Sequence, residues 1–197
     1  MNSLKKTFFV FLAFTAQTTV PSLSRKAIVI AATLAVTANT AECTAVYNSE
    51  ATQKLWRAIV NDDLIAAQKA IDEEANPNGT SQEDFLLLAT KLNRPCMIKL
   101  LILHKAKINT RCKTSGQTSL IIASIYGLPE ITAHLLIEKA DYTLRDKEYD
   151  RNALEWAEAM EALHSGTEKE IAYLNCKNLI RKKMFRDKFT TITQTKK

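Results

Sequence analysis

The chain has 197 residues, 46% hydrophobic and 24% charged, with 7% aromatic residues, four glycines and four prolines. That is an ordinary globular balance, enough for one domain with a core and an appendage, and so little Gly and Pro argues against a loop-rich all-β chain. The formal net charge of +6 sits at the two ends: residues 42–176 carry 15 basic against 20 acidic residues, so a general nucleic-acid surface does not follow from charge.

The N-terminus comes first. "MNSLKKTFFVFLAF" places Lys5 and Lys6 before a short uncharged apolar run, and "AIVIAATLAVTA" at 27–38 follows Arg25 and Lys26. Each run is shorter than the roughly 20 apolar residues that span a bilayer. Residues 1–41 contain no acid. They are expected to be an export signal, cleaved near Ala38 or Ala41 and excluded from the fold. Two alternatives stay open: the first run is the whole signal, or the segment is an organellar transit peptide. A lipoprotein anchor at Cys43 is disfavoured by Glu42.

From Leu55 onward one pattern recurs. "LWRAIVNDDL" begins at Leu55, "LLLATKLNRP" at Leu86, "LIIASIYGLP" at Leu120 and "LEWAEAMEAL" at Leu154. Each opens Leu-x-x-Ala, and the steps are 31, 34 and 34 residues. The second halves align in the same frame: "AIDEEANPN", "LILHKAKIN" and "LLIEKADYT". Self-similarity at such a period marks stacked supersecondary units.

The unit beginning at Gly116 is the most legible. Gly116 suits a turn feeding a helix. Thr118 is placed to cap the first N–H groups. Leu120 and Ala123 share one face, and the small Ala lets a neighbouring helix approach. Gly127 can take the left-handed conformation that ends a helix, and Pro129 opens the next one at little cost. Asn93 and Pro95 repeat those two roles one unit earlier. The helix is short because the unit is a helix pair.

These residues resemble ankyrin repeats. In the third unit Gly116, Thr118, Leu120, Ala123, Gly127, Ile131, Leu135, Ala140 and Asp141 match the types the family expects. Ser119 and Ile121 depart from it, as do Asp150, Asn152 and Glu161 in the fourth unit, which also carries an insertion, "ALHSGTEK". The resemblance implies an all-α solenoid of helix-turn-helix units joined by extended β-hairpin-like turns. The domain would cover 42–183, with repeats at about 50–81, 82–115, 116–149 and 150–183. The edge units are expected to cap the stack.

No catalytic constellation stands out, and no enzymatic activity, cofactor or small-molecule substrate is expected. His134 and Glu138 are four apart, a spacing compatible with a metal, but no second ligand pair accompanies them, and no metal is expected. Cys43, Cys96, Cys112 and Cys176 form no Cys-x-x-Cys pair. Cys96 and Cys112 are placed at opposite ends of a unit, roughly 15 Å apart, beyond disulfide reach. No base is evident near any thiol. Glu155 and Glu158 read as a solvated helix face, and Trp56 and Trp156 as core.

What the resemblance implies about function is partner binding on the concave wall of first helices and turn tips. By position the candidates on the first helices are Val60/Asn61, Lys91/Leu92, Ile125/Tyr126 and Ala159/Met160. At the turns they are Thr80/Ser81/Glu83, Thr114/Ser115/Gln117 and Glu148/Tyr149/Arg151. Leu92, Tyr126 and Met160 make an apolar ladder rimmed by Lys91, Gln117 and Arg151. Tyr126 and Tyr149 are the strongest anchors, since Tyr buries much area at small entropic cost.

The chain ends in "KNLIRKKMFRDKF" and "TTITQTKK". Ile180 and Met184 lie four apart, so one face caps the last repeat with Lys and Arg outside. The alternative is a basic patch for an anionic lipid surface or nucleic acid. Residues 184–197 are expected to be a basic tail, frayed at its end. The expectation is therefore an exported, monomeric scaffold, periplasmic or secreted, that binds another protein. The alternative is a membrane-associated adaptor held by 27–38 and the basic tail.

Overall fold

The computed structural model describes residues 50–80 and 83–194, with side chains through 190. The expected export segment, Cys43 and Ser81 lie outside the described residues. Eight helices are found among the described residues, in pairs. α1 spans 50–61 and α2 Leu64–Asp72; α3 Phe85–Lys91 and α4 Pro95–Leu103; α5 Ser119–Tyr126 and α6 Pro129–Ile137; α7 Ala153–Leu163 and α8 Glu170–Gln194.

The repeat is written in the backbone as well as in the side chains. Asp84, Thr118 and Asn152, spaced by 34, are the N-caps of α3, α5 and α7. The Asp84 carboxylate accepts from Leu86 and Leu87 N–H, Thr118 Oγ1 from Ile121 N–H, and Asn152 Oδ1 from Glu155 N–H. Each satisfies helix-start donors that have no partner within the helix. Asp62, Asn93 and Gly127 take positive φ after the first helices; Glu74, Lys105 and Lys139 do so after α2, α4 and α6. The residues that follow the second set, Ala75, Ala106 and Ala140, are buried. Their N–H groups donate to Ala70, Leu101 and Leu135 carbonyls, closing each helix. Pro95 and Pro129 open α4 and α6 as expected.

The units lean on one another in two layers. α3, α5 and α7 lie side by side, and so do α2, α4, α6 and α8. One core runs through the stack and includes Leu55, Leu86, Met97, Ile98, Leu101, Leu120, Ile131 and Leu135, all 1% exposed or less. The small Leu-x-x-Ala partners Ala58, Ala89, Ala123 and Ala157 are buried, which lets neighbouring helices approach. At the turns, hydrogen bonds step from unit to unit. Asn78 Oδ1 accepts from Lys107 N–H and Asn109 Oδ1 from Asp141 N–H, equivalent bonds one unit apart. Lys147 N–H donates to the Ser115 carbonyl, and Arg111 Nη2 to the Arg145 carbonyl.

The extended turns are tight hairpins with little ladder. Cys112 N–H donates to the Gln117 carbonyl, and its equivalent Asp146 N–H to the Arg151 carbonyl. An antiparallel bridge joins Arg145 to Asn152.

Two expectations are corrected. Trp56 is not core: it is 41% exposed, and its indole N–H reaches Glu83 Oε2 at 2.9 Å on the surface. The second helix of unit four does not stop at 183, and residues 184–194 of the expected tail are helical. α8 runs unbroken through that boundary to Gln194. It contains no Gly or Pro to stop it, and its distal half carries i,i+4 pairs, Lys183–Asp187 and Phe185–Phe189. The capping face is as expected, with Ile180 buried and Met184 packed against the core.

Candidate functional site

The first helices lie side by side, with the ladder positions toward their C-terminal ends and the turn tips preceding their N-terminal ends. Lys91 ends α3 and Leu92 is its C-cap, both exposed; Tyr126 ends α5 at 56% exposure. Ile125 is half-buried against the core, and Met160 is half-buried on α7. Since α5 packs between α3 and α7, the ladder positions Leu92, Tyr126 and Met160 fall on three adjacent helices. Two of the three rungs are open to solvent. Met160 is more enclosed.

The turn of unit four contributes a built cluster. Tyr149 and Trp156 meet edge to face, with ring centroids 5.3 Å apart. The Arg151 guanidinium carbon stands 5.9 Å from the Tyr149 ring centre and 5.2 Å from that of Trp156. Such contacts attract a cation to the ring face. Buried Asp146 anchors the group: one carboxylate oxygen accepts from Arg151 N–H at 2.8 Å, the other from Trp156 Nε1 at 3.2 Å. Glu148 beside Tyr149 raises the phenol above its ordinary range. Tyr149 therefore stays a neutral donor at physiological pH.

The structure thus unites Tyr149 and Arg151, chosen from the sequence, with Trp156 and Asp146, which were not. Trp156 lies four residues before the ladder position Met160 on α7 and so shares its face. The signal available in the sequence was that i,i+4 spacing. Gln117 is half-buried and serves the hairpin of unit three through its carbonyl, apart from this cluster.

The same turn in unit three holds Cys112. Hydroxyls of Ser115 and Thr114 facing its sulfur bring the thiol down to about 6; the Thr114 Oγ1 lies 3.3 Å from Sγ. No base was expected near a thiol, and hydroxyls, not a base, stabilise this thiolate. Cys176 is the opposite case: it is fully buried, and burial pushes its thiol up. Open depressions of about 360 Å³ and 380 Å³ lie at the unit three and four turn tips and beside α8. The first is lined by Thr114, Ser115, Lys147 and Glu148, the second by Pro129, Asn175, Asn178, Leu179 and Lys182. Among the described residues, no group of three His, Cys, Asp or Glu side chains is placed to hold a metal. Nor is any helix among them long and apolar enough to cross a membrane.

The family comparison agrees with this architecture. Residues 55–146 match the family model for ankyrin repeats, in three copies. The fourth unit lies beyond the matched segment. No curated protein matches the chain. Among solved structures, the chain is similar to the ankyrin repeat domain of Bcl-3, a member of the IkappaB protein family, at 25% identity and a TM-score of 0.48. That alignment covers 52% of this chain and 45% of the other. Residues 55–146 carry ankyrin repeats, and α7 and α8 stack one further helix pair on them.

Proposed function

We propose that this chain is an exported protein-interaction scaffold whose partner lies across the first-helix face and the turn tips. Ankyrin repeats in general mediate protein–protein interaction. What supports the placement is the Tyr149–Arg151–Trp156 cluster, continued by the exposed ladder residues Leu92 and Tyr126. A rigid aromatic pair with an arginine held over it is the composition of an interface hot spot. Trp156 is held by Asp146 before binding, which lowers the entropy lost on complex formation. The proposed role is binding without catalysis.

The test is capture of a partner from the native compartment by wild type and by Tyr126→Ala plus Tyr149→Ala. Recovery should fall by about tenfold or more, since truncating a hot-spot aromatic costs roughly 2 kcal/mol. Unchanged recovery with helicity intact by circular dichroism removes the first-helix face from the proposal. Export is tested by fractionation with mass spectrometry of the N-terminus. A soluble exported form lacking residues 1–38 supports it; an intact chain confined to the cytoplasm refutes it.

A further inference from the structure

The C-terminal half of α8 carries aromatic residues on the face turned away from the stack. Tyr173, Cys176 and Ile180 are buried against the stack, and Met184 is the last side chain packed on the core. Phe185 and Phe189 then stand 70% and 62% exposed, ring centroids 6.2 Å apart. On a regular helix they lie roughly 140° and 180° around the axis from Ile180. They point away from the solenoid. A cap needs no aromatic residues on its outer side.

The charges around them are arranged with one sign. By the same helical geometry Lys182 and Arg186 flank the phenylalanines on one side, Arg181 and Lys188 on the other. All four are exposed. Arg181 reaches Glu158 at 2.6 Å. The one acidic residue of 177–197, Asp187, faces inward: it pairs with Lys183 at 2.9 Å and bonds Tyr142. The outer strip thus carries two large rings with basic residues on both flanks, of which Arg181 is paired with the Glu158 carboxylate. The body it is attached to is acidic, with a net charge of −5 over residues 42–176.

We propose that the outer face of α8 from Arg181 to Phe189 is an interfacial helix that seats the solenoid on an anionic lipid bilayer. Long basic side chains on both flanks suit a helix lying in the headgroup plane, rings inward and cations level with the phosphates. One turn earlier, Asn175, Asn178 and Lys182 line the open depression beside α8, adding polar donors suited to a headgroup. The inference is independent of partner binding on the first helices, which use a different face.

The experiment is co-sedimentation of the full chain with phosphatidylcholine vesicles, with and without about one third phosphatidylserine. Wild type should bind the anionic vesicles, bind neutral ones far less, and release as salt rises. Lys182→Gln, Arg186→Gln and Lys188→Gln together should weaken binding by about a hundredfold, at roughly one tenfold step or slightly less per basic residue. Phe185→Gln plus Phe189→Gln should also lose binding, with helicity unchanged by circular dichroism. Binding that ignores lipid charge overturns the proposal. So does binding retained by either variant, which would assign it to residues 1–41, left intact in both. Absence of binding to either vesicle also overturns it and leaves an acidic protein as the occupant of this face.

Discussion

Units three and four make the same turns from different residues. Gly116 takes the left-handed conformation before α5, at φ 70°; Asp150 takes it before α7, at φ 50°. Thr118 caps α5, and Asn152 caps α7 with a capping box closed by Glu155. At the end of the first helix the substitution fails. Gly127 stops α5 at φ 64°, but Glu161 continues α7 to Leu163, and the turn is postponed to Gly166. Glu161 instead forms a half-buried ion pair with Lys177 of α8. The difference lies in what each position must satisfy. The turn before a helix is bonded to the neighbouring unit, so stacking imposes its geometry and an Asp at positive φ is tolerated. The helix stop is a local decision, and Glu161 lacks the left-handed preference that Gly127 brings to it.

The largest break in this comparison should come from the shared leucine. Leu120 is 1% exposed between two neighbours, whereas Leu154 is half-buried. Leu120→Ala should cost about 2–5 kcal/mol in urea or thermal unfolding, transfer plus cavity. Leu154→Ala should cost about half as much, because its site is already partly hydrated. Equal costs would mean that the terminal unit is packed as firmly as the inner one.

A smaller effect isolates the helix stop. Gly127→Ala should destabilise by about 1–3 kcal/mol, from the left-handed backbone and from crowding. A Cβ there would lie 2.9 Å from the Tyr173 ring of α8. Shortening the side chain in the double variant with Tyr173→Leu should relieve the steric part and leave the backbone part, a coupling that a double-mutant cycle reads directly. Additive costs would show that α8 yields freely at this contact.

The fold was legible wherever local chemistry and stacking agreed. Gly116, Thr118, Gly127 and Pro129 announce their conformations, and the Leu-x-x-Ala frame announces the shared face. The left-handed positions Glu74, Lys105 and Lys139 were not legible, because charged residues carry no such preference; only their spacing and the buried alanine after each betrays them. Trp56 was misjudged because a large apolar residue beside a core leucine looks buried, though on a helix its neighbour in sequence points elsewhere. Of the site, Tyr149 and Arg151 were recoverable as turn-tip residues. Their union with Trp156 through Asp146 was not, since it depends on how one hairpin folds back on α7. The outward face of α8 was half visible: the basic run was plain, but the exposure of Phe185 and Phe189 follows only once Ile180 and Met184 are seen to face the core.

The smallest effect on stability concerns Cys112 and Asp146, equivalent residues 34 apart that begin the two hairpins. In unit four the carboxylate collects donors from Arg151 and Trp156. In unit three the sulfur collects hydroxyls from Ser115 and Thr114, the main cause of the thiol's fall to about 6. A lowered value means that the thiolate prevails above that pH, so roughly nine-tenths of it is ionised at pH 7. In a Cys43→Ser, Cys96→Ser background, iodoacetamide alkylation of Cys112 should rise through a midpoint near pH 6 and level off by pH 8, while buried Cys176 stays unmodified until the chain unfolds. Thr114→Ala plus Ser115→Ala should move that midpoint upward, because removing donors destabilises the charged form, with stability changed by only about 0.5 kcal/mol. If the midpoint stays near 6 in that variant, the hydroxyls do not hold the thiolate, and the parallel between the two hairpins is one of backbone alone.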